Sequence, residues 1–259
     1  AEATRLARRL TILARLFEDQ RLQAIAHQAR AIVALLRGRP RAAARQAARS
    51  LEVTERLGDG RLFAQENAGD FRTFPGAWLS LATALTEGPE AAEAAFVEAI
   101  GLSPDDAFPR GFVRCFCPLP VLAGDRDAAL FYADALVADA DARGFALFSV
   151  LGRIYAGWAA AEKDPDDPRV TAFLGGQLQI AQAMALDSFT PWFLALAAEA
   201  HAARGETQKA TERLDAAEAL IRDSRGHLFE PEVARIRGRV AALTDARAAA
   251  AHFARAEAL

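Results

Sequence analysis

The stretch GRIYAGWAAAEKD, residues 152–164, poses the question that decides the fold. It carries two glycines, an arginine, a tyrosine and a tryptophan on what should be one helix. It is too interrupted for a membrane span and too apolar for a loop. Two interpretations are open: the floor of an active site, or a helix packed closely against a neighbour. The pattern of the rest of the chain decides between them.

Composition limits the class of protein. The 259 residues are enough for one large domain or two small ones, and 52% apolar with 25% charged residues excludes a mostly disordered chain. The formal net charge of −3 gives no support to direct nucleic-acid binding, which usually shows as a basic excess. The most apolar run, FALFSVLGRIYAGWAAA, is broken by Arg153 and falls short of a bilayer crossing, so no membrane association is expected.

The two cysteines, Cys115 and Cys117, lie in RCFCPLP (114–120). C-x-C lacks the spacing of a zinc knuckle or a redox pair, and there is no second cysteine pair. We therefore expect both thiols to be buried and reduced, which favours a cytoplasmic location. No signal peptide is visible, and because the sequence starts AEATRL without a methionine we expect a fragment of a larger protein.

Apolar residues recur at three- and four-residue spacing along the whole chain, with no convincing alternating strand. Breaks rich in Gly, Pro and Asp divide this pattern into helices of roughly 12 to 18 residues. The breaks are GRP (38–40), GDG (58–60), TEGPE (86–90), LSPDD (102–106), AGDRD (123–127), DPDDP (164–168), RGET (204–207) and LTDA (243–246).

The helices after these breaks share a pattern: Ala, three residues, a larger apolar residue, two residues, then a small residue. Clear copies are Ala92–Phe96–Ala99, Ala210–Leu214–Ala217 and Ala249–Phe253–Ala256, and weaker copies are Ala43–Ala47–Ser50, Ala129–Ala133–Leu136 and Gly176–Ile180–Ala183. The middle positions are spaced by 49, 37, 47, 34 and 39 residues. Repeats near this length built from two helices are typical of an α-solenoid, where each pair buries its apolar face on its neighbours.

We therefore predict an all-α fold: a single domain over 1–259, an α-solenoid of about six tetratricopeptide-like helix-turn-helix repeats forming a right-handed superhelix. Pro104, five residues after Ala99, matches the proline that closes a tetratricopeptide unit. Residues 1–18 would end an earlier repeat. The repeats would occupy residues 21–56, 74–101, 107–141, 145–186, 189–223 and 228–259.

This repeat answers the question raised by GRIYAGWAAAEKD. The eighth position of a tetratricopeptide first helix holds a small residue that allows close packing, and a turn residue follows seven positions later. Gly157 and Asp164 have this spacing, and so do two further pairs, Gly238 with Asp245 and Ala198 with Gly205. Gly157 should then pack against the second helix of its own repeat, and Trp158, the next residue round, should point to the concave wall.

Four stretches carry a resemblance to a known family: ADALVADADARGF (133–145), GRIYAGWAAAEKD (152–164), PWFLALAAEAHAARGE (191–206) and EPEVARIRGRVAAL (230–243). They resemble the tetratricopeptide-like region of bacterial signalling proteins that carry a STAND-type ATPase joined to a class III adenylate/guanylate cyclase or to a DNA-binding transcriptional activator. The resemblance covers residues 130–259, while the N-terminal half agrees only in its repeat pattern. It implies a regulatory or scaffold region, and it does not imply that this chain is itself a cyclase or an ATPase.

Two segments depart from that family. Pro118 and Pro120 stand inside what should be a first helix, so this helix should kink or stop near Cys117. Residues 61–78, RLFAQENAGDFRTFPGAW, are longer than a linker between repeats needs. They are either an ordered part of a repeat or a loop or short helix that lies over the groove as a lid.

Sequence signatures of nucleotide binding, zinc hydrolysis and serine hydrolysis are missing: G-x-x-x-x-G-K-[ST], G-x-G-x-x-G, H-E-x-x-H and G-x-S-x-G do not occur. The four histidines are scattered, and His201 is expected to be a core or half-buried residue. DPDDP lacks the glycine and the distal glutamate of an EF-hand loop, so a solvated turn is the better interpretation. We expect no enzyme activity, no metal and no cofactor.

The concave groove is the remaining candidate for a site. First-helix positions two, five, nine and twelve should line it, which places Gln28, Arg114, Trp158, Trp192, Glu199, Glu232, Arg235 and Arg239 there, with Trp78 close by. Trp and Arg are common anchors in binding surfaces. The alternative is that the tryptophans only fill the core between repeats and that the Arg–Glu pairs only keep the wall soluble.

Three functions are considered. The first is a non-catalytic module that binds a protein partner or a neighbouring domain in the groove and so regulates a signalling ATPase, a cyclase or a transcription factor. The second is a small-molecule sensor with a pocket near Trp158, Trp192 and Arg114. The third, an enzyme, would need an acid–base pair that the sequence does not show. Whether the chain forms a homodimer through an uncapped repeat end is left open.

Overall fold

The computed structural model describes residues 2–58, 69–184, 186–224 and 226–259. Every regular element in these ranges is helical, so the prediction of an all-α fold is confirmed. None of the described helices is long and apolar enough to cross a membrane. The chain divides into two compact units, Ala1–Asp125 and Arg126–Leu259. The boundary falls inside the predicted repeat 107–141, whose helices therefore belong to different units.

The helices of the first unit are α1 (Glu2–Leu16), α2 (Gln20–Leu36), α3 (Pro40–Arg56), α4 (Thr73–Glu87), α5 (Pro89–Gly101), α6 (Ala107–Phe116) and α7 (Leu119–Ala123). Consecutive helices from α1 to α6 pack against one another, and α7 packs on α5 and α4. Helix α1 buries Ala7 and Ala14, while Leu16 and Phe17 at its end are largely exposed.

The helices of the second unit are α8 (Arg126–Arg143), α9 (Ala146–Ala160), α10 (Pro168–Ala172), α11 (Leu178–Ala183), α12 (Thr190–Ala203), α13 (Thr207–Ser224), α14 (Glu230–Ala241) and α15 (Ala246–Ala258). Helix α8 packs on α9, α12 on α13 and α14 on α15, and α12 also contacts α9 and α14. A π-helical turn, Phe173–Gln177, joins α10 to α11.

Helix ends coincide with the predicted breaks, for reasons that are local. Gly124 and Gly205 adopt φ values of 72° and 73°, a left-handed conformation that glycine reaches without steric cost and that ends a helix. Asp19 begins α2 by accepting a hydrogen bond from the Arg21 amide at 2.7 Å. Asp245 caps α15 in the same way. Short-range sequence signals therefore set the segmentation of the chain.

The interruption at RCFCPLP is confirmed. Helix α6 ends at Phe116, the Cys117 amide donates to the Val113 carbonyl at 2.8 Å, and α7 restarts at Leu119. Cys115 and Cys117 are buried and form no disulfide, as predicted. Burial raises the pKa of Cys117 to about 12, against a hydrogen bond to Ser80 that lowers it. Burial also raises the pKa of Cys115, so both groups are held as neutral thiols.

The repeated Ala–large–small positions form the core in four helices. These positions are buried at Ala43–Ala47–Ser50, Ala92–Phe96–Ala99, Ala129–Ala133–Leu136 and Ala210–Leu214–Ala217. In α15 only Ala249 is buried and Phe253 is exposed, so the predicted copy Ala249–Phe253–Ala256 does not form core.

The predicted copy Gly176–Ile180–Ala183 is wrong, because Ile180 is exposed. The buried side chains of this segment include Phe173 and Leu178, which are five residues apart. The π-helical turn between them adds one residue to the helical repeat, and this shifts the buried face away from Ile180. A pattern of three- and four-residue steps cannot anticipate such an insertion.

Close packing at Gly157 is confirmed. A Cβ atom at this position would lie 2.4 Å from the Cβ of Phe173 and 2.8 Å from the carbonyl oxygen of Arg169. At Gly238 a Cβ atom would lie 2.7 Å from the ring of Phe253. In both cases the first helix of a predicted repeat approaches the segment that follows it, and at Gly157, where the contacts are a Cβ atom and a backbone oxygen, only glycine avoids the overlap.

Only part of the segment 61–78 can be assigned. The predicted lid concerns mainly residues 61–68, which lie outside the described residues. Phe71 packs in a cluster with Ala24 and Val53, and the Asp70 amide donates to Ser103 Oγ at 3.0 Å. Helix α4 then begins at Thr73. The described end of the segment is therefore an ordered part of the first unit.

Candidate functional site

The residues predicted for the groove are divided between the units. Gln28, Trp78 and Arg114 belong to the first unit, and the other six belong to the second. In the second unit, Trp158 on α9, Glu199 on α12 and Arg239 on α14 are brought together. These are the first helices of three consecutive predicted repeats. Arg126, the first residue of α8, joins them and was not predicted.

Glu199 is the centre of this cluster. Its side chain is only 5% exposed, and Trp158 Nε1 donates a hydrogen bond to Oε2 at 2.7 Å. Nη1 of Arg239 lies 2.7 Å from Oε1, and Nη2 of Arg126 lies 3.5 Å from Oε2. The Arg239 contact has the distance of an ion pair, but its N–H is not directed at the oxygen, so Oε1 lacks a well-aligned hydrogen bond.

The local sequence explains how a carboxylate can be buried at this position. Glu199 is flanked on α12 by small residues that are fully buried, Ala197, Ala198 and Ala200. Alanine lets neighbouring helices approach closely, so the Glu199 side chain reaches partners on other helices. A buried carboxylate is tolerated when it is paired and hydrogen-bonded, which is the arrangement found here.

Arg126 covers the face of the Trp158 ring, with its guanidinium carbon 3.6 Å from the ring centroid. It also donates to the Trp158 carbonyl oxygen, in the last turn of α9, and its Nε lies 3.2 Å from Oε2 of Glu162. Burial lowers the pKa of Arg126, while Glu199 and Glu162 raise it and the nearby guanidinium of Arg239 lowers it further. Cation–π contact and ion pairing together hold this side chain in place.

Arg235 and Glu232 form a further ion pair one turn earlier on α14. Arg235 donates from Nε at 2.8 Å and from Nη2 at 2.6 Å to the two carboxylate oxygens of Glu232. The hydrogen bonds to Glu232 raise the pKa of Arg235, although burial lowers it, and the Glu199 carboxylate also raises the pKa of Arg235. Because both residues lie three apart on one helix, this pair is satisfied locally.

A cavity of about 240 Å³ opens beside the cluster. Four charged residues and four apolar residues line it: Arg126, Glu162, Glu199 and Arg239, with Ala202, Ala203, Val240 and Leu243. Two guanidinium groups therefore balance two carboxylates in its wall. The cavity has a neutral but strongly polar side and an apolar side.

The prediction that tryptophans are presented in a groove is wrong. Trp78, Trp158 and Trp192 are all buried, at 7%, 1% and 0% exposure. Trp192 stacks on Phe229 with 4.5 Å between ring centroids and also contacts Tyr155. Burial of a large aromatic side chain removes much apolar surface from water, which explains why these tryptophans lie in the core and not on the wall of a groove. Only Trp158 is connected to the cavity, through its hydrogen bond to Glu199.

Gln28 and Arg114 are half-buried residues of α2 and α6 in the first unit. His201 on α12 is buried, as predicted, with Nδ1 2.6 Å from Oε2 of Glu206. In DPDDP, Asp167 accepts hydrogen bonds from the backbone amide and the guanidinium of Arg169, and these bonds lower the pKa of Asp167. Among the described residues no group of three His, Cys, Asp or Glu side chains could hold a metal ion.

Sequence reasoning missed Arg126 and Glu162. Arg126 was counted as part of the turn AGDRD, and Glu162 follows α9 beyond the periodic positions. Neither residue occupies a repeat position, so no spacing rule could have found them. Three-dimensional packing alone brings them to Glu199 and Trp158.

No protein-family model matches the chain, and no characterised protein matches its sequence.

Proposed function

We propose that this chain is a non-catalytic, tetratricopeptide-like repeat module that binds a protein partner or a neighbouring domain of its own polypeptide. In this proposal the helix pairs form an α-solenoid of about six repeats with a right-handed superhelix. The resemblance noted above would make the module a cytoplasmic regulatory region of a bacterial signalling or transcription-regulating protein.

The spacing of core residues supports the repeat. Phe173, which packs on Gly157, has the place that Phe253 has against Gly238. If Phe173 replaces Ile180 as the middle position, the spacings from 133 to 173, 214 and 253 become 40, 41 and 39 residues. Such a regular period over the second unit is typical of stacked helix pairs.

One observation carries the binding proposal. Trp158, Glu199 and Arg239, from the first helices of three consecutive predicted repeats, meet beside an open cavity. First helices line the inner wall of a tetratricopeptide solenoid, and that wall is the extended binding surface in such folds. Arg239, with a side chain 45% exposed, is the group best placed to anchor a partner.

The same chemistry supports a non-catalytic role. Oε2 of the buried Glu199 carboxylate accepts a hydrogen bond from the Trp158 indole N–H and lies near Arg126, and Oε1 lies beside Arg239. Cys115 and Cys117 are buried with raised pKa values, so neither is a thiolate nucleophile at neutral pH. A nucleophile paired with a base, which covalent catalysis requires, is not formed by these groups.

A partner-binding experiment tests the proposal. A partner is first captured from the cells of origin, and its affinity is then measured with purified proteins. We expect Arg239→Ala to weaken the complex at least about tenfold, as for an interface anchor. Arg255→Ala is the matched control, since the Arg255 side chain on α15 is 46% exposed. Equal affinity of both variants and the parent protein would contradict the proposal.

The second candidate function is a small-molecule sensor, and the cavity favours it. A volume of about 240 Å³ lined by four charged side chains suits a compact polar ligand better than a peptide chain. A ligand that binds only the folded state raises the melting temperature, so a thermal-shift screen with metabolites tests this function. A screen without any stabilising compound would count against it.

A further inference from the structure

We infer that the cavity between α12 and α14 binds a small zwitterion with an apolar side chain, of the chemical class of free α-amino acids. This inference rests on the second candidate function, a small-molecule effector site. It names the class of ligand from the charges, the exposure and the size of the cavity wall.

The charge balance of the wall selects against ions of one sign. Arg126 and Arg239 are balanced by Glu162 and Glu199. A net anion or cation would leave one charge uncompensated in a partly buried place, which is costly. A zwitterion adds one charge of each sign and keeps the cluster neutral.

The guanidinium groups of the cavity wall offer a binding site for the carboxylate of a ligand. The only ion pair of Arg239 among the described residues is the contact of Nη1 with Glu199, and its side chain is 45% exposed. A planar guanidinium presents two parallel N–H groups that match a carboxylate. The geometry therefore leaves one edge of Arg239 for the carboxylate of a ligand.

The carboxylates of the cavity wall offer a binding site for the ammonium group of a ligand. Oε1 of Glu199 is buried and lacks a well-aligned hydrogen bond, although Arg239 lies 2.7 Å away. Glu162 is 65% exposed and pairs with Arg126 at 3.2 Å, so it can turn toward a bound cation. An ammonium group has three donors on a compact charge and can supply the directed bond that Oε1 lacks.

The remaining wall sets the size and polarity of the ligand side chain. Ala202, Ala203, Val240 and Leu243 form the apolar side of the cavity. The volume of about 240 Å³ lies below the roughly 300 to 1,000 Å³ of sites for drug-sized ligands. A small aliphatic side chain fits this space.

Calorimetry on the whole chain tests the inference. The probes are L-alanine, L-valine and L-leucine, with two analogues that each lack one charge: 4-methylpentanoate without the ammonium and 3-methylbutylamine without the carboxylate. We expect at least one amino acid to bind with a stoichiometry of one and to raise the melting temperature. Each half-charged analogue should bind at least about tenfold more weakly than L-leucine, because one charged contact is lost.

Variants locate the site. Arg239→Ala should weaken amino-acid binding at least about tenfold, and Arg239→Lys should restore part of it, since lysine keeps the charge without the fork. Arg255→Ala, matched in exposure, should bind like the parent protein. The inference is overturned if none of the three amino acids binds at the highest soluble concentration. It is also overturned if the half-charged analogues bind equally well, or if Arg239→Ala binds normally.

Failure of this inference is distinguishable from failure of the proposed function. If no amino acid binds but Arg239→Ala weakens a protein complex, the inferred ligand class is contradicted and the proposed protein-binding function is supported. If amino acids bind through Arg239 and the affinity of a captured partner does not depend on Arg239, the sensor function is supported and the proposed protein-binding function is contradicted.

Discussion

Trp78 in the first unit and Trp158 in the second were predicted to line the same wall, and both are buried in opposite surroundings. Trp78 meets the rings of Phe112 and Phe116 at 5.5 and 5.9 Å between centroids, and its indole N–H has no partner among the described residues. Trp158 lies under the guanidinium of Arg126 and donates its indole N–H to Glu199. One tryptophan belongs to an aromatic core and the other to a charged network.

The difference shows which kind of burial points to function. An aromatic core is explained by the apolar surface that it removes from water. A buried charged network is expensive unless all its groups are satisfied, and apolar residues of the same volume would often give equal stability. Stability alone therefore does not account for the network around Glu199, and the proposed binding function makes use of its position beside the cavity.

The largest expected effect compares two carboxylates that face Arg126. Glu199→Ala removes the buried partner and should lower the free energy of unfolding by about 3 kcal/mol, because Arg126 is left underpaired. Glu162→Ala removes a partner that is 65% exposed and should cost less than about 1 kcal/mol. Urea denaturation of both variants measures the difference. Similar losses for the two variants would show that Glu199 is not the centre of the network.

A second comparison uses the glycines near the two tryptophans. Gly157→Ala should destabilise the protein by about 1 to 3 kcal/mol, since its Cβ would meet the Phe173 Cβ at 2.4 Å and a backbone oxygen. Gly76→Ala should change stability by less than about 1 kcal/mol, because its Cβ would meet only Ala99 at 3.0 Å and helix propensity improves. Thermal melts of the two variants decide this, and the reverse order would refute close packing at Gly157.

A third comparison removes the indole N–H from each tryptophan. Trp158→Phe leaves Oε2 of Glu199 without its donor and should cost about 1 to 2 kcal/mol more than Trp78→Phe. In Trp78→Phe only apolar packing changes, because that N–H has no partner among the described residues. Equilibrium denaturation measures both. Equal costs would mean that the Glu199 hydrogen bond contributes no net stability.

Much of the fold could be predicted because helix signals are local. Glycine and aspartate at turns, and apolar steps of three and four, act over a few residues, so breaks such as AGDRD and caps such as Asp245 could be found in the sequence. The π-helical turn at Phe173–Gln177 could not, since a single inserted residue leaves no mark in a pattern of three- and four-residue steps.

The site could be predicted only where it follows the repeat. Glu199 and Arg239 occupy wall positions of the predicted first helices, so the sequence pattern could select them. The burial of Trp192 depends on Phe229, a residue outside the repeat pattern that stacks on it. Arg126 reaches the site from a helix start, where sequence spacing carries no information on distance.

The smallest expected effect is a response to acid in the second unit. Hydrogen bonds from His201 and then Lys209 lower the pKa of Glu206 from 4.5 to about 2. A carboxyl group with a depressed pKa stabilises the fold above its unfolded pKa and loses this contribution as the pH falls from about 4.5 toward 2. Solvent screening limits the loss to less than about 1 kcal/mol. Urea denaturation at several pH values across this range measures the effect. The free energy of unfolding should fall less steeply with decreasing pH in Glu206→Gln than in the parent protein, and an equal fall in both would contradict the assignment.

The most direct measurement is the NMR spectrum of the three indole N–H groups in the parent protein and in Glu199→Gln. We expect the Trp158 signal to move upfield in the variant, because its N–H then faces a neutral acceptor in place of a carboxylate. The Trp78 signal should stay in place, since its surroundings are apolar. A Trp158 signal that does not move, or a Trp78 signal that moves as far, would show that Trp158 and Glu199 do not form the network described.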